Sequence, residues 1–117
     1  MDMKKKVIFD LDGTLADITQ RRVLATDANT GKMDWDVFFD SKNIGLDQPN
    51  IPVIKMAQML KSQGFDIIIF SGRSKSTKTA TKFWLDQHDV PFDLLKMRPT
   101  DKHWHFMKDS DLKEFWL

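Results

Sequence analysis

The stretch that decides the fold is Lys-Lys-Val-Ile-Phe-Asp-Leu-Asp-Gly-Thr, residues 5–14. Its first half is rich in Val, Ile and Phe and stops at Asp10, where Asp-Leu-Asp-Gly begins. An apolar run of this kind, closed by turn-forming residues, is typical of a buried strand that enters a tight loop. The sequence therefore predicts a first strand up to Asp10 and a polar loop directly after it.

Beyond this stretch the pattern alternates between helix and strand. Apolar residues recur at helical spacing between Pro52 and Gln63, with proline at the first turn and Gly64 as the stop. A second apolar run follows, and then an amphipathic segment and a third run. These patterns predict a strand over 66–70, a helix over 76–88 and a strand over 91–97. Strand, helix, strand is the parallel crossover unit, so we expect an α/β fold with a Rossmann-like parallel sheet.

The segment from Ala16 to about Asn50 is polar and mixed, which indicates a small insertion over the mouth of the first strand. It holds an aromatic cluster, Trp35, Phe38 and Phe39, which we interpret as packing rather than as substrate contacts. At the other end of the chain, Asp109 to Trp116 is predicted to begin a helix.

The composition limits which classes of protein this chain can belong to. The 117 residues are 41% hydrophobic and 30% charged, which suits one compact core, and we predict a single domain over residues 1–117. With 18 basic and 17 acidic residues, the formal charge of +1 gives no general attraction to nucleic acid or membranes. The absence of cysteine excludes disulfides and thiolate chemistry. No apolar run is long enough for a membrane span and the basic start is not a signal peptide, so we expect a soluble, cytoplasmic protein.

The loop after the first strand carries the strongest chemical signal. Asp10 and Asp12 are two residues apart, a spacing that in extended chain places both carboxylates on the same side. Gly13 allows a sharp turn, and Thr14 adds a hydroxyl and a backbone amide that could hold an anion. One carboxylate to attack, a second to exchange protons and a metal ion to neutralise charge are what phosphoryl transfer needs.

Asp10-Leu-Asp-Gly-Thr14, placed directly after an apolar strand, resembles the first motif of the haloacid dehalogenase superfamily of phosphatases. The resemblance implies that Asp10 is a nucleophile that becomes transiently phosphorylated and that Asp12 is the general acid and base. It also implies a Mg²⁺ cofactor held by Asp10 and Asp12.

Ser71-Gly72-Arg73, at the end of the second predicted strand, resembles the second motif of that superfamily in the form found in the polynucleotide kinase 3′-phosphatase branch. The resemblance implies that Ser71 and Gly72 bind the phosphate. Arg73 could orient the phosphate by a bidentate contact, and a solvated arginine at a helix start is the equally weighted alternative.

The third motif of the superfamily is a lysine, and Lys113 in Asp109-Ser-Asp-Leu-Lys113 is the best match, with Lys108 as the competitor. The resemblance extends over most of the chain to small phosphatases related to the phosphatase domain of bacteriophage polynucleotide kinase. Shorter matching stretches are Arg21-Arg22, Asp34-Trp35-Asp36 with Phe38-Phe39, Thr81 with Trp84-Leu85, and Met97-Arg98.

No match is found for the fourth motif, a strand with further metal-binding aspartates that lies beside the first strand in the superfamily. We therefore expect the first strand to be an edge, and weak metal binding. A shortened chain, a natural truncation and a partner subunit that covers this edge, such as a second copy in a homodimer, are the three alternatives.

The predicted function is hydrolysis of a phosphomonoester. The resemblance implies a nucleotide or polynucleotide 3′-phosphate, with small phosphorylated metabolites as the alternative substrate class. The rival hypothesis is a catalytically impaired domain that acts by phosphate binding or assembly. Lys75, Lys78 and Lys82 could steer a nucleic-acid phosphate, but we favour a solvated helix face because neighbouring acidic residues would cancel their field. His103 and His105 are interpreted as surface residues.

Overall fold

A computed structural model describes residues 5–98 of the chain. These residues form five strands, four α-helices and two 3₁₀ segments. In chain order they are β1 (Lys6–Asp10), β2 (Ala16–Asp17), α1 (Thr19–Ala25), α2 (Trp35–Phe38), a 3₁₀ segment (Ser41–Leu46), β3 (Gln48–Pro49), α3 (Ile51–Ser62), β4 (Asp66–Ser74), a 3₁₀ turn (Lys75–Thr77), α4 (Lys78–Gln87) and β5 (Leu94–Arg98).

The main sheet has the order β1-β4-β5, and both pairings are parallel. The pairing of β1 with β4 sets Asp10 opposite Phe70, so the residues that follow each strand lie side by side. The predicted α/β fold with a Rossmann-like parallel sheet is confirmed, and it places the two predicted motifs at the same edge of the sheet.

The core forms where apolar residues of the central strand meet the helices. Ile67 and Ile69 of β4 are fully buried and pack in one cluster with Ile54 and Ala57 of α3. Because β4 has a neighbour on each side, most of its residues are buried. In β1 only Phe9 is buried, and the side chain of Ile8 is 46% exposed. Within residues 5–98, β4 is the only strand that pairs with β1.

The predicted insertion is present and has a narrow base. β2 and β3 pair antiparallel, with Ala16 opposite Pro49, and the chain between them forms α1, α2 and the 3₁₀ segment. The aromatic rings of Trp35, Phe38 and Phe39 pack against one another there, as predicted.

The end of the second predicted strand differs from the end of β4 in the structure. The sequence predicts that the second strand ends at residue 70, but β4 continues to Ser74, because Ser74 pairs with Arg98 of β5 after an irregularity in the register. The helix predicted over 109–116 lies outside the described residues. No helix within residues 5–98 is long and apolar enough to cross a membrane.

Candidate active site

The loop after β1 is a compact turn built around one carbonyl. The main-chain oxygen of Leu11 accepts hydrogen bonds from the amides of Thr14, Leu15 and Ala16, at 3.3, 3.0 and 3.0 Å. Gly13 adopts a φ of 82°, a conformation that glycine reaches without strain, and its amide donates to the Ala16 carbonyl. This turn holds Asp12 just beyond the end of the strand that carries Asp10.

The carboxylate of Asp12 is held by two arginines. Arg73 donates from Nε and Nη2 to Asp12 Oδ1, at 2.9 and 2.6 Å, and Arg21 Nη2 donates to the same oxygen at 3.3 Å. Within residues 5–98, all the side-chain hydrogen bonds that Asp12 receives end on Oδ1. The arrangement fixes the orientation of the carboxylate, whose side chain is 25% exposed.

Behind Asp12 lies a second carboxylate, Asp47, which sequence reasoning did not identify. Its Oδ1 accepts from Arg21 Nε at 3.0 Å, and its Oδ2 accepts from Arg21 Nη2 at 3.0 Å and from Arg73 Nη2 at 2.7 Å. Burial raises the pKa of Asp47, while hydrogen bonding and charge from Arg21, and the charge of Arg73, act in the opposite direction. Asp12, Arg21, Asp47 and Arg73 thus form one network, called here the arginine clamp.

The clamp is anchored on both sides. Arg21 Nη1 donates to the Phe38 carbonyl at 2.9 Å, and the Arg21 guanidinium lies 4.3 Å from the centre of the Phe38 ring. Arg73 Nη1 donates to Thr81 Oγ1 at 3.1 Å, and Trp84 Nε1 donates to the main-chain oxygen of Asp47 at 3.0 Å. The insertion and α4 therefore meet at the clamp.

The structure contradicts one of the two alternatives predicted for the side chain of Arg73. The sequence suggested a phosphate contact or a solvated side chain, but the side chain of Arg73 is 0% exposed and its Nε, Nη1 and Nη2 atoms all donate to protein oxygens. The solvated alternative is therefore wrong, and a side chain placed this way orients Asp12, whereas the phosphate contact stays a prediction. The signal for Arg21, also fully buried, lay only in the resemblance of Arg21-Arg22 to related phosphatases.

Ser71 and Gly72 lie where the sequence predicted, immediately after Phe70, the residue paired with Asp10. Ser71 is buried and its Oγ accepts from the Arg73 amide at 3.1 Å, and the Gly72 carbonyl accepts from Arg98 Nε at 3.0 Å. Asp10 Oδ1 accepts from the Leu11 amide at 3.0 Å. Lys113 and its competitor Lys108 lie outside the described residues.

The predicted anion-binding residue Thr14 stands at the rim of the loop. Its main-chain oxygen accepts from Asn50 Nδ2 at 2.8 Å, which ties the loop to the start of α3. A cleft of about 540 Å³ opens beside Gly13 and is lined by polar groups that include Asp17, Gln48 and Asn50. The loop is therefore accessible from one side and anchored on the other.

Comparison with known proteins agrees with this geometry. The family model of the polynucleotide kinase PNKP phosphatase domain matches residues 4–114. Among solved structures, a chain described as part of the Pnkp1/Rnl/Hen1 RNA repair complex is 30% identical, with a TM-score of 0.73 over 96% of this chain. A chain of a second Pnkp1/Rnl/Hen1 structure is 31% identical, with a TM-score of 0.72 over 97% of this chain. This chain covers 30% and 33% of those two chains, about a third of their length.

A structural-genomics target from Vibrio cholerae matches over 96% of both chains, with 24% identity and a TM-score of 0.50, a likeness of fold. No curated protein matches this sequence.

The parallel sheet with two carboxylates and a Ser-Gly-Arg motif at one edge defines a phosphatase fold of the haloacid dehalogenase type. Within that superfamily, the chain belongs to the family of the polynucleotide kinase phosphatase domain, whose model spans nearly all of it.

Proposed function

We propose that this chain is a cytoplasmic phosphomonoester hydrolase in which Asp10 is the nucleophile and Asp12 the general acid and base. The observation that carries the proposal is the arginine clamp. Two buried guanidinium groups fix a single carboxylate beside the end of the strand that carries Asp10. Such a costly arrangement of buried charge is expected where the position of one carboxylate controls a reaction.

In the proposed first step, a carboxylate oxygen of Asp10 attacks phosphorus, and the bond between phosphorus and the leaving oxygen breaks. Asp12 gives a proton to that oxygen, which leaves as an alcohol. In the second step a water molecule attacks the aspartyl phosphate, and Asp12 accepts a proton from this water. Inorganic phosphate leaves and Asp10 is regenerated.

The clamp gives Asp12 a geometry suited to both steps. Because the hydrogen bonds from Arg73 and Arg21 end on Oδ1, Oδ2 is the oxygen that would carry the proton. If the Asp12 carboxylate keeps one orientation, the same oxygen can donate a proton to the leaving oxygen and later accept one from the water that takes its place. The clamp therefore acts on catalysis through Asp12, and Arg21 and Arg73 are positioning residues.

The remaining site residues are assigned by their places at the sheet edge. Ser71, beside the end of β1, and the backbone amides near Gly72 would bind the phosphoryl oxygens, with Thr14 on the opposite side of the loop. Lys113 lies outside the described residues and is assigned by the resemblance of Asp109-Ser-Asp-Leu-Lys113 to the third motif; it would neutralise charge on Asp10 and the phosphate.

The donor set beside Asp10 fits Mg²⁺, which prefers oxygen ligands. The Asp10 carboxylate and the Asp12 main-chain carbonyl would hold the ion, since the Asp12 carboxylate is engaged by arginines. No group of three or more acidic or histidine side chains suited to a metal occurs within residues 5–98. Water and substrate phosphate would complete the shell, and the bound ion would supply charge neutralisation for the phosphoryl group.

The proposed substrate is a polynucleotide 3′-phosphate, supported by the family and by the RNA repair complex in which two similar chains occur. Small phosphorylated metabolites are the alternative. The test is magnesium-dependent phosphate release from a 3′-phosphorylated oligonucleotide and from glycerol phosphate, for the wild type and for Asp10→Asn. Release that disappears in Asp10→Asn supports the proposal. No release by a folded wild-type chain at high magnesium overturns it.

The second candidate function is assembly by a catalytically impaired domain, and the exposed edge of the sheet favours it. β1 pairs only with β4 within residues 5–98, and Ile8 is half exposed, so a second copy could pair along β1 in a homodimer. Sedimentation of the wild type and of Ile8→Arg tests it. A dimer that Ile8→Arg abolishes supports assembly, and a monomeric wild type at high concentration contradicts it.

A further inference from the structure

Three lysines form a row along one exposed side of α4 and the 3₁₀ turn before it. Lys75, Lys78 and Lys82 are separated by three and four residues, the spacing that places helical side chains next to one another. All three are exposed, and none forms an ion pair with a described carboxylate. We call this set the lysine row.

Acidic residues are few around the lysine row on α4. The first turn of α4 has no acidic residue, and the first carboxylate along the helix is Asp86, four residues after Lys82 and therefore next to it on the helix surface. Cations near the start of a helix are mildly destabilising. Along α4, the predicted acidic neighbour is present for Lys82 and absent for Lys75 and Lys78, so the charge of the row is offset only in part.

The row begins at the active-site edge of the sheet. Lys75 directly follows Ser74, the last residue of β4, and Ser71 lies in the same strand. From Lys75 to Lys82 the helical rise is about 10 Å, enough for two or three successive phosphates of a single strand. Phosphates that lie along the row would thus lead to the edge where Asp10 and Ser71 meet.

An apolar cleft opens on the face of α4 that adjoins the lysine row. It has a volume of about 480 Å³ and lies between α4 and the 3₁₀ segment, with Ile44, Ala80 and Phe83 among its lining residues. The side chain of Phe83 is 69% exposed and follows Lys82 in the chain. Phe83 therefore points about 100° around the helix from Lys82, toward the cleft. An exposed aromatic ring on a face that adjoins exposed cations is the combination that single-strand binding surfaces use, with bases on the ring and the backbone on the cations.

We propose that these two adjoining faces of α4 bind a single-stranded polynucleotide, with successive phosphodiesters on Lys75, Lys78 and Lys82 and a base stacked on Phe83 in the apolar cleft. The proposal rests on the proposed function and deepens it, because it selects strands over mononucleotides and small metabolites as substrates. The proposed contacts to phosphates can form with either DNA or RNA. Binding measured with DNA and with RNA oligonucleotides of the same sequence shows which of the two the protein prefers.

The first experiment measures binding of a fluorescent single-stranded oligonucleotide with a 3′-hydroxyl end, which cannot be hydrolysed, by anisotropy at several salt concentrations. Each single-strand phosphate contact contributes roughly 0.7 to the slope of log K against log salt, so the triple variant Lys75→Gln, Lys78→Gln, Lys82→Gln should lower that slope by about 2. At low salt its affinity should fall more than tenfold. The matched control Lys6→Gln, Lys32→Gln, Lys55→Gln removes the same charge from exposed positions elsewhere and should bind within about twofold of the wild type.

The second experiment separates base stacking from general attraction of a polyanion. Phe83→Ala should weaken oligonucleotide binding roughly tenfold, whereas Trp35→Ala, at an aromatic ring that is 58% exposed on α2, should not. A poly-glutamate peptide of equal charge should compete poorly. Equal competition by the peptide, or a Phe83→Ala variant that binds like the wild type, overturns the proposed base contact.

The outcomes for this inference and for the proposed function are distinguishable. If no substrate releases phosphate but binding depends on the lysine row, the hydrolase proposal fails and the inference stands. If phosphate is released but the lysine triple variant binds with the affinity and salt slope of the wild type, the inference fails and the hydrolase proposal stands. An oligonucleotide that the wild type does not bind even at low salt also overturns the inference.

Discussion

Arg73 reaches back along the sheet edge to Asp12, where its Nε and Nη2 atoms lie 2.9 and 2.6 Å from one carboxylate oxygen. The same Nη2 atom lies 2.7 Å from the buried carboxylate of Asp47. One guanidinium group therefore joins the proposed acid-base residue to a carboxylate in the interior.

Replacing Arg73 should affect both rate and stability. Arg73→Gln leaves Asp47 with one of its two cationic partners and frees the Asp12 carboxylate to rotate. We expect kcat to fall roughly 100-fold with little change in KM, because the geometry of proton transfer is lost while the phosphate contacts remain. We expect the unfolding free energy to fall by about 3 kcal/mol, since a buried ion pair is broken.

Steady-state kinetics and urea unfolding of Arg73→Gln test this. Arg22→Gln, at an exposed position next to Arg21, is the control and should change neither quantity by more than a small factor. A change in KM alone for Arg73→Gln would instead indicate that Arg73 contacts the substrate.

The hydroxyl of Thr81 offers a finer test of the clamp, because it accepts a hydrogen bond from Arg73 Nη1 in the interior. Thr81→Val keeps the shape and leaves a buried N–H without this partner, so stability should fall by about 1–3 kcal/mol. Thr81→Ser keeps the acceptor and should recover most of that loss. Equal thermal unfolding of the two variants would show that the hydrogen bond contributes little.

Gly13 should be intolerant of a side chain for a conformational reason alone. A Cβ atom placed there meets no atom within 4 Å, but the φ of 82° is unfavourable for residues other than glycine. Gly13→Ala should cost about 1–2 kcal/mol or shift the loop and lower kcat through Asp12. Gly45→Ala is the matched control, since its Cβ is equally uncrowded and its φ is not positive. Unfolding and kinetic measurements that do not separate the two variants would contradict this explanation.

The raised pKa of Asp47 leads us to expect that its contribution to the free energy of unfolding decreases as pH rises. Burial raises its pKa above the ordinary value of 3.8, so the folded state holds the proton more tightly than the unfolded state. The stability linked to this proton is fully present below pH 3.8 and is lost as pH rises through the folded pKa. The free energy of unfolding of the wild type, relative to Asp47→Asn, should therefore fall as pH rises through this range.

Urea unfolding of both proteins between pH 3 and pH 7 measures this difference. Asp17 and Asp27 have lowered pKa values from local hydrogen bonds, but they are common to both proteins and cancel. A difference that grows with pH would show that the two arginines dominate over burial.

The sequence was sufficient for the parts of this structure that depend on local patterns. Apolar runs ending at Asp10 and near Phe70 predicted two parallel strands, and the parallel pairing brings Asp10 and Ser71 to one edge. These features follow from the continuous apolar runs and from the strand, helix, strand order of the crossover unit, which need no knowledge of distant contacts.

The arginine clamp could not be predicted in the same way. Asp47 pairs with residues 26 positions away on both sides, and nothing in its neighbours Leu46 and Gln48 marks it as a buried anion. The burial of Arg73 could not be predicted because an arginine near the end of a strand can point into solvent or into the interior, and the choice depends on whether a buried carboxylate such as Asp47 lies within reach. Only the folded arrangement of the insertion decides this.

The narrow base of the insertion limits which parts of it could be exchanged between related domains. The insertion begins after β2 and ends at β3. Near its start, Arg21 donates a hydrogen bond to Asp12, and near its end, Asp47 accepts one from Arg73 of the core. An insertion moved to another such domain would have to place both residues in the same positions, or the carboxylate of the proposed acid-base residue would lose its fixed orientation. Phe38 of α2 would have to be kept with them, because it contacts Arg21. The turn over residues 27–32 makes its described hydrogen bonds within itself, so its sequence could change without altering the clamp.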